Sequence, residues 1–393
     1  MVRAASRQRA GLTALLAAKE MVLVCGSGGV GKTTIAAAMA VQAATEIGGR
    51  VLVLTVDPAR RLATALGLAS FGNTPVRVPA DPSMPLRGEL WAAMLDTKAG
   101  WDELIRRHAP DAATRDAVLA NPLYENITSR FVHSHEYLAM EQLHDLHATG
   151  NFDLVIVDTP PSRNALSILD APSRMADFFG SRLLRWLTVP YRSRLFTAAS
   201  KPFYQVADRV VGSRFLQDIA DFFVLFQAME PGFVKRAREV EDLLVDPRTA
   251  FVVVTTLETA PSHEARFLAR ELANRRMSLG AIVANRVLPS GLASREASRS
   301  AQALVDKAHG ALARDVARAL PGVTAKAVAP VLAQVGGQFD DLAMVAAAES
   351  ERRIELAAMA PMLLSVPWLE GDIHDLAGLA ALADHLRDRT AAD

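Results

Sequence analysis

The sequence predicts an α/β fold built on a doubly wound, mostly parallel sheet with an inserted helical subdomain. Short β-branched or apolar runs alternate with long helical patterns, as in a parallel sheet covered by crossover helices. Several of these runs are apolar at consecutive positions, which is expected for strands buried on both faces. Four of them end on Asp or lead directly into a glycine-rich turn, at the sheet edge where ligands bind in such folds.

The strand pattern also indicates how the chain is organised. The predicted strands in chain order are MVLVC ending at Cys25, RVLVLTVD ending at Asp57, ELWAAMLD ending at Asp96, FDLVIVD ending at Asp158, TAFVVVTT from Thr249, LGAIVANRV from Leu279 and MLLSV ending at Val366. Two connections, at about 98–150 and 162–246, are far longer than an ordinary crossover and have helical patterns. We therefore interpret residues 1–393 as a single domain, with one helical subdomain inserted at these two places.

The composition is that of a globular protein and argues against several other classes. The 393 residues include 43 Lys plus Arg and 43 Asp plus Glu, so the formal net charge is zero, whereas a dedicated nucleic-acid binder is usually basic. The single cysteine, Cys25, cannot form an internal disulfide, a four-cysteine zinc site or an iron–sulfur centre within one chain. The apolar stretches are short and carry charges, whereas a membrane-spanning helix needs roughly 20 mostly apolar residues. We expect a cytoplasmic protein that does not bind nucleic acid.

A phosphate-binding loop is the strongest motif in the chain. The segment GSGGVGKT at residues 26–33 fits the pattern G-x-x-x-x-G-K-[ST], follows a predicted strand and opens a predicted helix. In this pattern backbone N–H groups and the helix start surround phosphate oxygens, a lysine (here Lys32) neutralises the β- and γ-phosphates, and a hydroxyl (here Thr33) binds Mg²⁺. The alternative is a glycine-rich turn with a surface lysine. The predicted nucleotide-binding residues of the loop and helix start are Gly26, Ser27, Gly28, Gly29, Val30, Gly31, Lys32, Thr33 and Thr34.

Two acidic residues at predicted strand ends complete the expected site. Asp158 closes FDLVIVD and is placed to hold Mg²⁺, either directly or through a bound water. Asp57 closes the second strand and is suited to polarising the attacking water. Asp57 and Lys32 are therefore the two expected catalytic residues. The alternative for each aspartate is a structural role, in which its side chain caps the N-terminus of the helix that follows the strand.

Five motifs together resemble those of the ArsA-like ATPases, in an order and spacing that cover nearly the whole chain. They are the phosphate-binding loop, VDPA, DTPPSRNALSILDAP, VANRVLP and VPWLEGDIHDL. This family holds arsenical-pump ATPases and the targeting ATPases for tail-anchored membrane proteins. The resemblance implies a P-loop NTPase sheet, ATP with Mg²⁺, and a dimer that opens and closes with nucleotide state. It also implies that Asp57 lies in switch I and Asp158 in switch II, and that Asn285 recognises adenine through its amide with Pro367 nearby. By themselves, Asn285 and Pro367 indicate only a strand-end turn and a loop.

Ser27 is the main departure from the family pattern. Relatives usually carry a lysine at this position, which reaches the partner subunit's phosphates, and a serine cannot supply that charge. A homodimer would then be a slow ATPase or would use Arg60, Arg61 or Arg163 instead. A heterodimer with a lysine-bearing paralogue would have one complete and one incomplete site.

Thiol chemistry is the second departure. Family members bind metalloid through several cysteines or clamp zinc with a Cys-x-x-Cys pair, and Cys25 alone can do neither. His133, His135, His144 and His147 are candidate replacement ligands, and the last two share a helical face, but helix histidines are more often partly exposed surface residues. We expect ATP and Mg²⁺, and no zinc.

An aromatic and basic segment lies in the second helical insertion. Residues 163–233 hold 12 of the 23 Phe, Trp and Tyr, and residues 163–214 have nine basic and three acidic residues. Such helices could hold an apolar protein client, a partner subunit or a membrane surface, which would place the protein peripherally at a membrane. The alternative is that the rings form the core of the subdomain.

Two functions from different classes are therefore predicted. The first is a Mg²⁺-dependent ATPase in which ATP binding and hydrolysis drive a conformational change of a dimer acting on a protein or membrane client. The alternative is a poorly hydrolysing nucleotide-binding regulatory subunit, which Ser27 favours. A DNA- or division-site-partitioning ATPase shares the loop but usually lacks a large aromatic insert.

Overall fold

The centre of the fold is an eight-stranded sheet. The structure is a computed structural model, and it describes residues 11–56, 61–68, 72–79, 81, 85–95, 97–121, 124, 134–159, 170, 177, 222, 230–369 and 371–387. The strand order is β3-β4-β2-β5-β1-β6-β7-β8, and every neighbouring pair is parallel except β3–β4, which is antiparallel. The order confirms the predicted α/β class with a doubly wound, mostly parallel sheet.

The strands are β1 Met21–Cys25, β2 Arg50–Thr55, β3 Val76–Arg77, β4 Glu89–Met94, β5 Leu154–Asp158, β6 Thr249–Thr255, β7 Leu279–Val287 and β8 Leu363–Pro367. The α-helices are α1 Leu12–Ala17, α2 Lys32–Glu46, α3 Arg61–Ala65, α4 Thr97–His108, α5 Ala112–Leu119, α6 Ser134–Ala148, α7 Glu230–Val245, α8 Thr259–Asn274, α9 Arg295–Asp306, α10 Ala311–Ala319, α11 Ala325–Ala357 and α12 Leu376–Leu386. A 3₁₀ turn, Ser290–Ala293, precedes α9.

Two hydrophobic cores lie on opposite faces of the sheet, because neighbouring side chains of a strand point to opposite faces. Val22 and Val24 of β1 pack in the core beneath α1, α2 and α12. Leu23 and Cys25 of the same strand pack in the core beneath α6, α7 and α8. All five residues of β1 are buried, so the strand that leads into the phosphate-binding loop is fixed on both sides.

The seven predicted strands are all present, and one further strand is added. β3 consists of the exposed pair Val76 and Arg77, which is too short to leave a periodic pattern in the sequence. β2 ends at Thr55 and β4 at Met94, two residues before the aspartates that closed the predicted runs.

Helices α4, α5 and α6 lie between β4 and β5, where the first helical insertion is predicted. A third core cluster joins them, and Trp101, Ile105, Val118 and Leu138 are among its buried members. Phe222, one of the aromatic residues of the second insertion, is fully buried in this cluster. Most of residues 162–229 lie outside the described part of the chain, so the extent of the helical subdomain stays a prediction.

Three helices, α9, α10 and α11, lie between β7 and β8 in the chain, and Leu356 near the end of α11 belongs to the core beneath α6, α7 and α8. α11, 33 residues long, packs against α9 and α10. No helix in the described ranges combines the length and apolar character needed to cross a bilayer.

Candidate functional site

The phosphate-binding loop turns from the carboxyl end of β1 into the start of α2, and its backbone requires glycine at two positions. Gly26 has φ +149°, and a Cβ there would overlap the backbone carbonyl of Val254 in β6. Gly31 has φ +94° and forms the left-handed N-cap of α2, where a Cβ would overlap the Asn285 side chain. The N–H groups of the first turn of α2 are thereby directed at the space above the sheet, where an anion can be held.

Lys32 is directed back over the loop. Its side chain is only 6% exposed, and its ammonium donates a hydrogen bond to the Ser27 carbonyl oxygen at 2.9 Å. A buried ammonium in a glycine-rich loop is strongly attracted to a phosphate group because burial reduces the solvent screening of its charge. The Ser27 hydroxyl is buried and has no hydrogen-bond partner among the described residues.

Asp158 joins the loop to two strands. Its Oδ2 accepts hydrogen bonds from the Thr33 hydroxyl at 2.6 Å and from the Thr55 hydroxyl at 2.9 Å. The residue is fully buried at the end of β5, which lies between β1 and β2. An oxygen-only cluster of a carboxylate and a threonine hydroxyl is the donor chemistry that Mg²⁺ prefers.

A cavity of about 1080 Å³ extends from the loop towards the carboxyl ends of β7 and β8. Gly31, Thr33 and Thr34 line one part of it, and Asn285 and Pro367 line another. The structure therefore brings three of the predicted residues of the loop and helix start, and both residues of the predicted adenine site, to one cavity, whose volume suits a nucleotide-sized ligand.

Asn285 also supports the loop directly. Its Nδ2 donates to the Val30 carbonyl oxygen at 2.8 Å, and its Oδ1 accepts from the Arg286 N–H at 3.0 Å. The amide is thus oriented by the protein at the wall of the cavity. Its role in recognising adenine stays a prediction.

Several residues of the site were not predicted. Thr55, Arg286, Trp368 and His374 lie at the site, the last three in the cavity wall, and Trp368 is 64% exposed. Trp368 follows Pro367 directly in the sequence, so the adjacency was a usable signal. Thr55 gave no signal, because threonine is common in strands.

Two titratable groups near Lys32 have shifted pKa values. Burial raises the pKa of the Cys25 thiol to about 12. The hydrogen bond with Thr159 and the charge of Lys32 lower this pKa, but by less than burial raises it. Burial also raises the pKa of Glu264 in α8, opposed by the charge of Lys32. Both shifts favour neutral groups, so the Cys25 thiol stays protonated at neutral pH and does not act as a thiolate nucleophile.

The other predicted residues are placed as follows. Gly28 and Gly29 are exposed at the tip of the loop, and Val30 is buried beneath it. Asp57, Arg60, Arg163 and His133 lie outside the described residues, and so do the side chains of Arg61 and His135. His144 interacts with Arg236, and His147 with Glu20. Within the described residues, no three His, Cys, Asp or Glu side chains are grouped to hold a metal ion.

Comparison with known proteins gives one family. Residues 19–308 match the sequence model of the anion-transporting ATPases, the ArsA ATPase family. The chain is 25% identical over 271 residues to an ATPase ASNA1 homolog of Entamoeba dispar, covering 68% of this chain and 76% of that protein. It is 25% identical over 283 residues to ATPase GET3 of Malassezia globosa, covering 72% and 77%. An uncharacterized protein of Streptomyces coelicolor is 30% identical over 275 residues, covering 68% of this chain and 62% of that one.

Proposed function

Because the chain belongs to the ArsA family of anion-transporting ATPases, we propose that it is a Mg²⁺-dependent ATPase. In this proposal, ATP binding and hydrolysis change the conformation of a dimer that acts on a protein or membrane client. The observation that carries the proposal is the contact of Thr33 and Asp158 beneath the glycine-rich loop. Thr33 belongs to α2, whose start would bind phosphate, and Asp158 ends β5 and would hold the metal, so their contact connects the two parts of the site.

The residues present fit the two expected ligands. Thr33 and Asp158, directly or through a water, would hold Mg²⁺, which when bound neutralises phosphate charge in such sites. The loop N–H groups and Lys32 would bind the β- and γ-phosphates, and Asn285, Pro367 and Trp368 would enclose the base at the far end of the cavity. Asp57 is proposed on sequence grounds alone to orient and deprotonate the attacking water.

Phosphate release with ATP and Mg²⁺ tests this proposal in a small variant set. Asp158→Asn and Asp57→Asn should each lower turnover by about 100-fold or more, since each removes a charge at the reaction centre. Asp315→Asn is the matched control, because its side chain is 62% exposed on α10. Turnover unchanged in both site variants would show that measured hydrolysis comes from another protein.

A second candidate function is favoured by Ser27. Its short side chain ends in the loop and carries no charge that could reach a partner's phosphates. In this alternative the chain is a regulatory subunit that binds ATP, hydrolyses it poorly alone, and forms a heterodimer with a lysine-bearing paralogue.

Ser27→Lys distinguishes the two candidates. If the missing cation limits a homodimer, this variant should hydrolyse ATP about tenfold or more faster than the native chain at equal protein concentration. Ser290→Lys, placed in an exposed 3₁₀ turn, controls for the added charge. Rapid turnover by the native chain alone would remove the need for a paralogue.

The client and the location are inferred from the second helical insertion. The aromatic and basic segment of residues 163–233 supports an apolar protein client or a membrane surface. We propose a cytoplasmic protein, peripheral at the membrane when it is bound to such a client. Purification of the chain with and without ATP, followed by identification of what accompanies it, tests this part.

A further inference from the structure

Asn285 contacts one peptide unit of the phosphate-binding loop, the unit that joins Val30 to Gly31. Its Nδ2 donates to the Val30 carbonyl oxygen at 2.8 Å, across 255 residues of the chain. A Cβ built on Gly31 would lie 2.4 Å from the same Nδ2. Apart from the two chain neighbours of Gly31, only the Asn285 side chain lies within 4 Å of that Cβ among the described residues. The side chain of β7 therefore packs directly on this part of the loop.

The contact determines the direction of the Gly31 N–H. A peptide unit is planar and trans, so its carbonyl oxygen and its N–H point in opposite directions. Because the Val30 carbonyl oxygen is directed at Asn285, the Gly31 N–H is directed away from Asn285. In the proposed function this N–H is one of the backbone donors that surround phosphate oxygens. Asn285 thus sets the direction of a phosphate donor that belongs to another element.

The loop requires such a contact because Gly31 has no side chain. Its φ is +94°, and glycine adopts positive and negative φ at similar cost. A peptide unit that precedes glycine therefore rotates more easily than one that precedes a residue with a Cβ. Rotation of the unit between Val30 and Gly31 would turn the Gly31 N–H towards Asn285 and would break the hydrogen bond. The Asn285 amide opposes this rotation.

The amide is itself oriented by an irregularity in β7. The pairing of β7 with β8 shifts register between Ala284 and Val287, and Arg286 within this stretch has φ +57°. A positive φ is uncommon for a residue with a side chain, and bulges of this kind direct a side chain away from its regular position. The Arg286 N–H donates to Asn285 Oδ1 at 3.0 Å. Since β7 is also paired with β6, Asn285 acts on the loop from a fixed strand.

Asn285 retains hydrogen-bonding capacity for a base. A side-chain amide has two N–H donors and an oxygen with two lone pairs. Among the described residues, Val30 takes one donor and Arg286 takes one lone pair. One donor and one lone pair are left for a ligand. Contact with a base and support of the loop are therefore compatible in one side chain.

We propose that Asn285 is a positioning residue for phosphate binding. It holds the peptide unit between Val30 and Gly31 in the orientation that binds phosphate, and it does so when the ligand has no base. The inference rests on the proposed function, because it assumes that the loop binds the phosphates of a nucleotide. It adds that binding of the phosphate chain, as well as of the base, depends on Asn285.

Calorimetric titration of the full-length chain with Mg²⁺ and either ATP or inorganic tripolyphosphate, which has no base, tests the proposal. Asn285→Ala should weaken the binding of both ligands by about tenfold or more at an unchanged number of sites per chain, because one loop donor is no longer oriented. Asn274→Ala, at an exposed asparagine that ends α8, should bind both ligands as the native chain does.

Two results of this titration would contradict the proposal. Weaker binding of ATP with unchanged binding of tripolyphosphate would overturn it and assign Asn285 to the base alone. A smaller number of sites at native affinity would also overturn it, because the substitution would then act on folding and not on the orientation of the loop.

Unfolding in urea without ligand separates this inference from the proposed function. Gly31→Ala should lower the urea midpoint at least about twice as far in the native chain as in Asn285→Ala, where the added Cβ has no amide to displace. Gly29→Ala is the matched control, because Gly29 has φ +80° and nothing within 4 Å of a Cβ, so its shift should be the same in both chains.

Equal shifts for Gly31→Ala in the two chains would overturn the proposal, because the Asn285 amide would then not be held against the loop. Unequal shifts in a native chain that binds neither ATP nor tripolyphosphate would remove the proposed function and still support the hold of Asn285 on the loop.

Discussion

At the scale of single residues, the conformation of the phosphate-binding loop depends on Gly26, which can be compared with Gly322, a glycine between α10 and α11. Gly26 and Gly322 both have positive φ, at +149° and +79°. A Cβ at Gly26 would overlap the Val254 carbonyl in the central sheet, whereas a Cβ at Gly322 would have nothing within 4 Å. The two positions therefore separate backbone strain from steric overlap.

We expect Gly26→Ala to abolish ATP binding and to lower the free energy of unfolding by more than about 3 kcal/mol, because both strain and overlap must be relieved. Gly322→Ala should cost only about 1 kcal/mol and leave ATP binding unchanged. Urea unfolding and calorimetric titration of ATP measure the two effects. Equal effects of the two substitutions would contradict the described loop geometry.

The buried Cys25 thiol should make stability depend on pH above about 9. Its pKa is about 12 in the folded chain against an ordinary value of 9.0. Between these values the unfolded chain has released a proton that the folded chain retains, so the free energy of unfolding falls by about 1.4 kcal/mol per pH unit as pH rises.

The native chain should therefore lose about 2 kcal/mol more stability than Cys25→Ala between about pH 8 and about pH 10.5. Comparing the two chains removes the contribution of other titrating groups, and urea unfolding at the two pH values gives the result. Parallel losses in both chains would mean that the thiol is not held in its protonated form.

The site residues could be predicted only in part, for physical reasons that differ between residues. Lys32, Thr33 and Asp158 were predicted because the loop pattern and the strand-end aspartate carry chemistry at fixed positions. Thr55 was missed, because its importance comes from the pairing of β2 with β5, which sequence spacing does not reveal.

At the scale of elements, the contact between α9 and α11 depends on one of two adjacent glycines. A Cβ at Gly336 would lie 2.7 Å from Val305 Cγ2 and 2.8 Å from the Ala301 carbonyl oxygen, both in α9. At Gly337 a Cβ would have nothing within 4 Å. The first glycine allows the close helix contact, and the second only weakens the helix.

Gly336→Ala should lower the free energy of unfolding by about 1 to 3 kcal/mol, through overpacking against α9. Gly337→Ala should raise it by up to about 1 kcal/mol, because alanine is the better helix former. Thermal or urea unfolding of the two variants checks the opposite signs. The same sign for both would show that the glycines are not distinguished by α9.

Strands were predicted better than helices at this scale, for a physical reason. β1, β5 and β6 are buried at every position, so their apolar runs stand out in the sequence. The outward side of α11 is apolar too, and this weakens the polar–apolar contrast that would identify a surface helix.

At the scale of the whole molecule, the sheet order explains why the site lies where it does. β1 lies between β5 and β6, so the loop after β1, Asp158 at the end of β5 and Asn285 in β7 all reach the same edge of the sheet. This edge is where a doubly wound sheet binds ligands. The sequence order of the strands does not reveal their spatial order.

The turnover of ATP by purified full-length chain, native and Lys32→Ala, tests the central claim most directly. With Mg²⁺ the native chain should release phosphate from ATP, and Lys32→Ala should do so at least about 100-fold more slowly, because the buried cation at the phosphates is lost. Lys307→Ala, which removes an exposed lysine far along the chain, should match the native rate. Equal phosphate release by the native and Lys32→Ala chains would contradict the assignment of this loop as an ATP-hydrolysing site.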